Sequence, residues 1–139
     1  MSDAGRQPTG GAARVPANCE LTLGMTCIDR SQPGEAVWIM TPGEHLANPA
    51  GMVQGGLLTA FAVTAMSGAV SYRRGPAHAA GSELKISFIK GAPVGQTITC
   101  RAHVIGGGRR VAFLEAEISD PSNGLVAKAS STYLLDRGR

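Results

Sequence analysis

The chain has 139 residues, 43% hydrophobic and 17% charged, a globular composition that fits one compact domain. A formal charge of +3 is only mildly basic, and 4% aromatics are too few for a base-stacking platform, so nucleic acid is not the expected partner. The three cysteines (Cys19, Cys27 and Cys100) are odd in number and include no Cys-x-x-Cys pair, which argues against a disulfide framework or cysteine zinc site and favours a reducing cytoplasm.

Residues 1–17 are rich in Gly, Ala, Pro and Arg and lack the apolar core of a signal peptide. They read as a disordered tail, leaving 18–139 as a single domain. In Glu20–Cys27 the residues Leu21, Leu23, Met25 and Cys27 fall on one face, which predicts a strand. Ser31–Gly34 is a turn, and Ala36–Met40 a short returning strand. Thr41–Val53 carries Pro42, Gly43, Asn48, Pro49 and Gly51 and reads as loop. From Gly55 to Tyr72 no residue is charged, and Arg73-Arg74 follow. The glycines, serines and threonines in this run weaken a membrane span, which needs about 20 predominantly apolar residues. A buried helix ending before Gly75-Pro76 is the expectation.

Everything downstream reads as β. Leu84, Ile86 and Phe88 alternate with Lys85 and Ser87. After the Pro93-Val94-Gly95 turn, Ile98, Cys100, Ala102 and Val104 oppose Thr97, Thr99, Arg101 and His103. Gly106-Gly107-Gly108 and Ser122-Asn123-Gly124 are hairpin turns. Between them Ala112, Leu114, Ala116 and Ile118 point one way, and a last strand runs over about Leu125–Leu135. Two strands, one long helix and four strands give an α+β fold. A single apolar helix is buried only if a curved antiparallel sheet wraps it. A second subunit is a natural way to cover a sheet edge.

The segment that carries chemistry is Asn48-Pro49-Ala50-Gly51-Met52-Val53-Gln54-Gly55-Gly56, which runs straight into the helix. Paired glycines at a helix start leave backbone N–H groups unshielded at the positive end of the dipole. That suits an oxygen gaining negative charge, as in acyl transfer. The plainer reading is that Gly55 and Gly56 only permit close packing. Asn48 and Gln54 offer hydrogen bonds beside them.

With these residues the chain resembles the hotdog-fold acyl-CoA thioesterases of the phenylacetate-degradation type, related to 4-hydroxybenzoyl-CoA thioesterase. The family pattern Asn-x-x-Gly-x-Val-His-Gly-Gly is met by Asn48, Gly51, Val53, Gly55 and Gly56, with Gln54 in place of His. Ser87-Phe88-Ile89-Lys90 matches the family's Phe-Leu-Arg-Pro loosely, and Val94–Thr97, Gly108–Arg110 and Ala129–Tyr133 also fit. The resemblance implies a long central helix wrapped by a curved antiparallel sheet, a homodimer or dimer of dimers, and hydrolysis of an acyl-CoA or carrier-protein thioester. It implies no cofactor beyond the coenzyme A of the substrate. One departure is serious: Val63 stands where the family places the helix Asp or Glu.

Gly55, Thr59, Val63 and Ser67 lie four apart and form one helix stripe, while Leu58, Phe61, Ala62, Ala65 and Ala69 are assigned to the sheet. A carboxylate at 63 would face the same cleft as the glycine N–H groups. Without it, water is left to Asn48, Gln54, Thr64 or Ser67, with Glu44, Glu83 and His45 as weaker candidates for a base. His78 and His103 are isolated, and no metal spacing is present. Arg73, Arg74, Lys90, Arg109 and Arg110 are candidates for the CoA phosphates, or else ordinary solvated turns. The expected function is an atypical thioesterase lacking the usual helix acid. The competing expectation is a non-catalytic acyl-CoA-binding or regulatory protein. Neither reading calls for a membrane.

Overall fold

Gly24 divides two elements where the alternation of Leu21, Leu23, Met25 and Cys27 reads as one strand. The computed structural model describes residues 18–74 and 79–136; the expected tail, the Gly75-Pro76 stop and His78 lie outside them. Asn18–Leu23 is a short helix, α1, and the strand β1 begins only at Met25 and runs to Asp29. Local chemistry overrides the alternation. Glu20 lies in the first turn, where the helix dipole favours an acid. Thr22 Oγ1 donates to the Asn18 carbonyl at 2.9 Å. Gly24, at φ +75°, ends the helix by donating its N–H to the Leu21 carbonyl.

The remaining elements follow the expected order: β2 Glu35–Met40, α2 Gly55–Arg74, β3 Ala79–Phe88, β4 Ile98–Gly107, β5 Val111–Ser119 and β6 Leu125–Leu135. A short 3-10 helix, Glu44–Leu46, interrupts the loop before α2. The six strands form one antiparallel sheet in the order β1-β2-β4-β5-β6-β3, so β1 and β3 are its edges. β3 is made before β4 yet, among the described residues, pairs with β6 at the far side of the sheet.

Helix α2 packs against β2, β3, β4, β5 and β6. The face assigned to the sheet is buried as expected: Leu58, Phe61, Ala62, Ala65 and Ala69 are all within 3% of full burial. The alternating residues of β4 (Ile98, Cys100, Ala102) and β5 (Ala112, Leu114, Ala116, Ile118) meet it from below. Small side chains let helix and sheet approach closely. At Gly68 a Cβ would stand 3.0 Å from Trp38 Nε1. Each large side chain buried here stabilises by roughly 1.5–3 kcal/mol. No helix among the described residues is long and apolar enough to cross a membrane.

The two glycine-rich hairpins fold as read. Gly107 has φ +128°, and a Cβ there would lie 2.3 Å from the Val111 carbonyl oxygen, so only glycine fits. Asn123 takes the left-handed conformation at φ 62°. The cysteines are all free, and burial pushes the Cys100 thiol far above its ordinary pKa, which leaves it inert.

Candidate active site

The loop before α2 is built by Asn48. Its Oδ1 accepts the N–H groups of Ala50 at 2.9 Å and Met52 at 3.1 Å. Its backbone N–H donates to the Met52 carbonyl, and its carbonyl accepts from Gly51, which sits at φ +80°. The loop is then fixed to its surroundings by Val53 N–H on the Ala92 carbonyl and Gln54 N–H on the Leu46 carbonyl. The Asn48 Oδ1, accepting two N–H groups, is therefore committed to shaping the loop.

Gln54 caps the helix. Its backbone carbonyl accepts from Leu57 and Leu58, and its side-chain Oε1 accepts the Leu57 N–H at 3.2 Å. The amide lies across Gly56, where a Cβ would meet Oε1 at 2.7 Å. At Gly55 a Cβ would meet the Phe88 ring at 3.1 Å. Close packing thus explains both glycines, and it also leaves their amides open. The first turn of a helix supplies no carbonyl for these N–H groups, and none of the hydrogen bonds at the helix start uses those of Gly55 and Gly56. Two donors at the positive end of a 20-residue helix are available for an oxyanion.

Further along the same stripe, Thr59 turns its hydroxyl back to the Gly55 carbonyl at 3.0 Å. Val63 is 40% exposed, so the position at which the sequence resemblance expects an acid faces outward. Val63 and Ser67 line a cavity of about 340 Å³ together with Gly81, Leu84, Ser131 and Tyr133. The Tyr133 hydroxyl lies 2.9 Å from Ser67 Oγ and donates to the Val63 carbonyl at 3.3 Å. Burial pushes the Tyr133 phenol above its ordinary pKa, so at neutral pH it donates a hydrogen bond and does not act as a base. Thr64, one residue off the stripe, is partly buried and is not part of the lining.

Gly55 and Val63 share a stripe, but eight residues at 1.5 Å each separate them by about 12 Å. Within one chain they cannot contact the same reacting atom. Glu83 also lies at the cavity rim, where its backbone carbonyl accepts the Ser131 hydroxyl. It pairs with Thr132, between the helix-facing Ser131 and Tyr133, which turns its carboxylate to the other side of the sheet. Glu44 and His45 are exposed in the 3-10 helix, with the His45 ring 3.0 Å from where a Gly43 Cβ would be. His103 lies on the polar strand face, 4.0 Å from Glu115.

The cations separate similarly. Lys90 is paired with Asp120, whose carboxylate also accepts from Ser122 and from the Gly124 N–H. Arg109 and Arg110 are exposed in the β4–β5 turn. Arg73 and Arg74 are the last residues of α2. Among the described residues no group of three His, Cys, Asp or Glu side chains could hold a metal. The sequence reading did not single out Phe88 or Tyr133 as site residues. Their alternation with Ile86 and with Ser131 was the available signal, since it places both on the helix-facing side.

A family model described as the thioesterase superfamily matches residues 50–127, which includes the helix start and Val63 but stops short of Ser131 and Tyr133 on the cavity wall. The chain is 25% identical over 119 residues to acyl-coenzyme A thioesterase 13 of Homo sapiens, covering 85% of each. Among solved structures it is similar to the PaaI protein of E. coli from the phenylacetic acid degradation operon. That match has a TM-score of 0.83 and 26% identity, over 88% of this chain and 87% of that one. A putative thioesterase of Ralstonia eutropha, described as related to phenylacetic acid degradation, gives a TM-score of 0.80 and 28% identity, over 88% and 92%. With a single buried helix held by a six-stranded antiparallel sheet, and a family match across most of both, this chain is a hotdog-fold member of the thioesterase superfamily.

Proposed function

We propose that this protein hydrolyses an acyl-CoA thioester and does so without a carboxylate on its central helix. The observation that carries the reading is the pair of unpartnered N–H groups at Gly55 and Gly56, in a chain whose superfamily cleaves thioesters. The thioester carbonyl oxygen sits at these amides. Water oxygen bonds to the carbonyl carbon, and the oxyanion that forms is held by the helix start. The carbon–sulfur bond then breaks, the departing thiolate takes the proton that the water loses, and acid and free thiol remain. One oxyanion donor is worth about 10²–10³ in rate, while general-base catalysis adds about 10²–10⁴. Losing the base therefore slows the reaction without removing its main electrostatic support.

A homodimer fits this chemistry better than a monomer. The Val63 cavity is about 12 Å from the Gly55 amide along one helix, so a second copy must bring its own cavity to the first copy's helix start. The edge strand β3 carries the backbone groups to pair with such a copy. The Ser67 and Tyr133 hydroxyls of that cavity then hold the attacking water. Arg109 and Arg110, and Arg73 and Arg74 at the helix end, are the cations for the CoA phosphates. Lys90 is less available because Asp120 neutralises it.

A second reading is favoured by one observation: Val63 can neither attack nor accept a proton, which suits a protein that binds acyl-CoA and leaves it intact. Free-thiol release from a panel of acyl-CoAs by purified protein separates the two. Turnover above the uncatalysed rate, lost in Gly55→Pro, supports hydrolysis. Binding without turnover supports the second reading. Light scattering that gives a stable monomer at micromolar concentration counts against the composite site.

A further inference from the structure

Phe88 is the last residue of β3 and pairs with Ala127 on the helix-facing side of the sheet, yet 54% of its surface is exposed. Its ring tip reaches the start of α2. A Cβ on Gly55 would lie 3.1 Å from Phe88 Cζ and 3.3 Å from Cε1. The ring is held there by its strand end, since the N–H groups of Ile89 and Lys90 both donate to the Val126 carbonyl, at 2.8 and 3.2 Å. The Lys90–Asp120 ion pair fastens the same end to the β5–β6 turn. The exposed side chain thus stands against Gly55, the residue whose N–H has no partner at the helix start.

We propose that Phe88 selects the acyl group, an inference that rests on the hydrolytic reading above. A carbonyl oxygen within about 2.7–3.1 Å of the Gly55 N–H has its α-carbon two bonds away, against the Phe88 ring. Apolar acyl carbons gain contact area there. A carboxylate on the acyl chain would be stripped of water against an aromatic surface. Lys90, two residues away, cannot compensate it, because its charge is committed to Asp120. The favoured class is therefore thioesters of apolar acyl groups, with very short and dicarboxylic acyl groups discriminated against.

The test compares kcat/KM of the wild type, Phe88→Leu and Phe88→Ala on hexanoyl-CoA, acetyl-CoA and succinyl-CoA. The wild type should prefer hexanoyl-CoA. Phe88→Ala should lower that value about tenfold more than the acetyl-CoA value and narrow the gap to succinyl-CoA, with Phe88→Leu between. A loss by one common factor for all three substrates, in both variants, overturns the proposal and assigns the ring to folding or assembly. A wild type that prefers succinyl-CoA overturns it as well. No thiol release from any substrate by the wild type removes the hydrolytic reading itself, an outcome distinct from unselective turnover.

Discussion

The Tyr133 hydroxyl and Ser67 Oγ lie 2.9 Å apart and tie the last strand to the middle of α2 across 66 residues of sequence. The bond lies at the cavity wall, beneath Val63. Because the phenol is largely buried and its pKa raised, it stays neutral across the physiological range. Tyr133→Phe should cost about 1 kcal/mol of stability, the usual net worth of one hydrogen bond. Ser67→Ala should cost less, since Tyr133 keeps the Val63 carbonyl. Urea unfolding of the two single variants and the double variant checks this, and strictly additive losses would show that the two hydroxyls are not coupled.

Val63→Asp places a carboxylate where the sequence resemblance expects one. The side chain at 63 is 40% exposed and lies beside two hydroxyls, so the acid should remain ionised near neutral pH. Thioester hydrolysis should rise by about 10²-fold with little loss of stability. Thiol release under saturating substrate measures it. An unchanged rate in a folded variant would show that the natural reaction does not pass through this position.

Arg109→Gln with Arg110→Gln should raise KM for an acyl-CoA and flatten its dependence on salt, because fewer phosphate contacts remain to be screened. A pantetheine thioester, which lacks the nucleotide, should be hydrolysed as before. Equal losses on both substrates would assign the two arginines to the hairpin instead.

Asp120 gives an acid-side dependence of stability. Hydrogen bonds from Lys90, Ser122 and the Gly124 N–H hold its carboxyl well below the ordinary value of 3.8. A pKa depressed in the folded state contributes stability that is fully present above the unfolded value. That contribution is lost as pH falls through the folded one. Asp120→Asn should therefore be less stable than the wild type at pH 7, with the gap narrowing below about pH 4. Denaturant midpoints at several pH values test it, and a gap that is constant down to pH 2 would rule the charge out as its cause.

How far the sequence could be read depended on whether a signal was local. β4, β5 and β6 were legible because buried residues alternate cleanly on either side of Gly107 and Asn123, two positions whose backbone dictates a turn. The stripe Gly55, Thr59, Val63 and Ser67 was legible from helical spacing alone. Glu20–Cys27 misled because two apolar alternations span a six-residue helix that is stopped by Gly24. The remaining features join distant segments. Lys90 meets Asp120 across 30 residues and Tyr133 meets Ser67 across 66, and no periodicity announces such pairs. The 12 Å between Gly55 and Val63 followed from the helical rise all along, but it gained meaning only once the strand around Glu83 was seen to supply no acid on that side.

The position of β3 has a consequence for how the chain is made. Synthesis runs from the N-terminus, so α2 and β3 are complete while β6, the strand that pairs with β3 within the chain, is still absent. Ala79 must wait for Leu135 and Phe88 for Ala127. During that interval the apolar face of α2 and both edges of β3 are uncovered, a state in which hydrophobic surface invites aggregation or a holding chaperone. A nascent chain released before Leu125 would have its helix but no strand to seat Phe88 at the helix start. Its premature termination products should therefore be insoluble, and β3 gains its place in the sheet only with the eleven-residue strand β6.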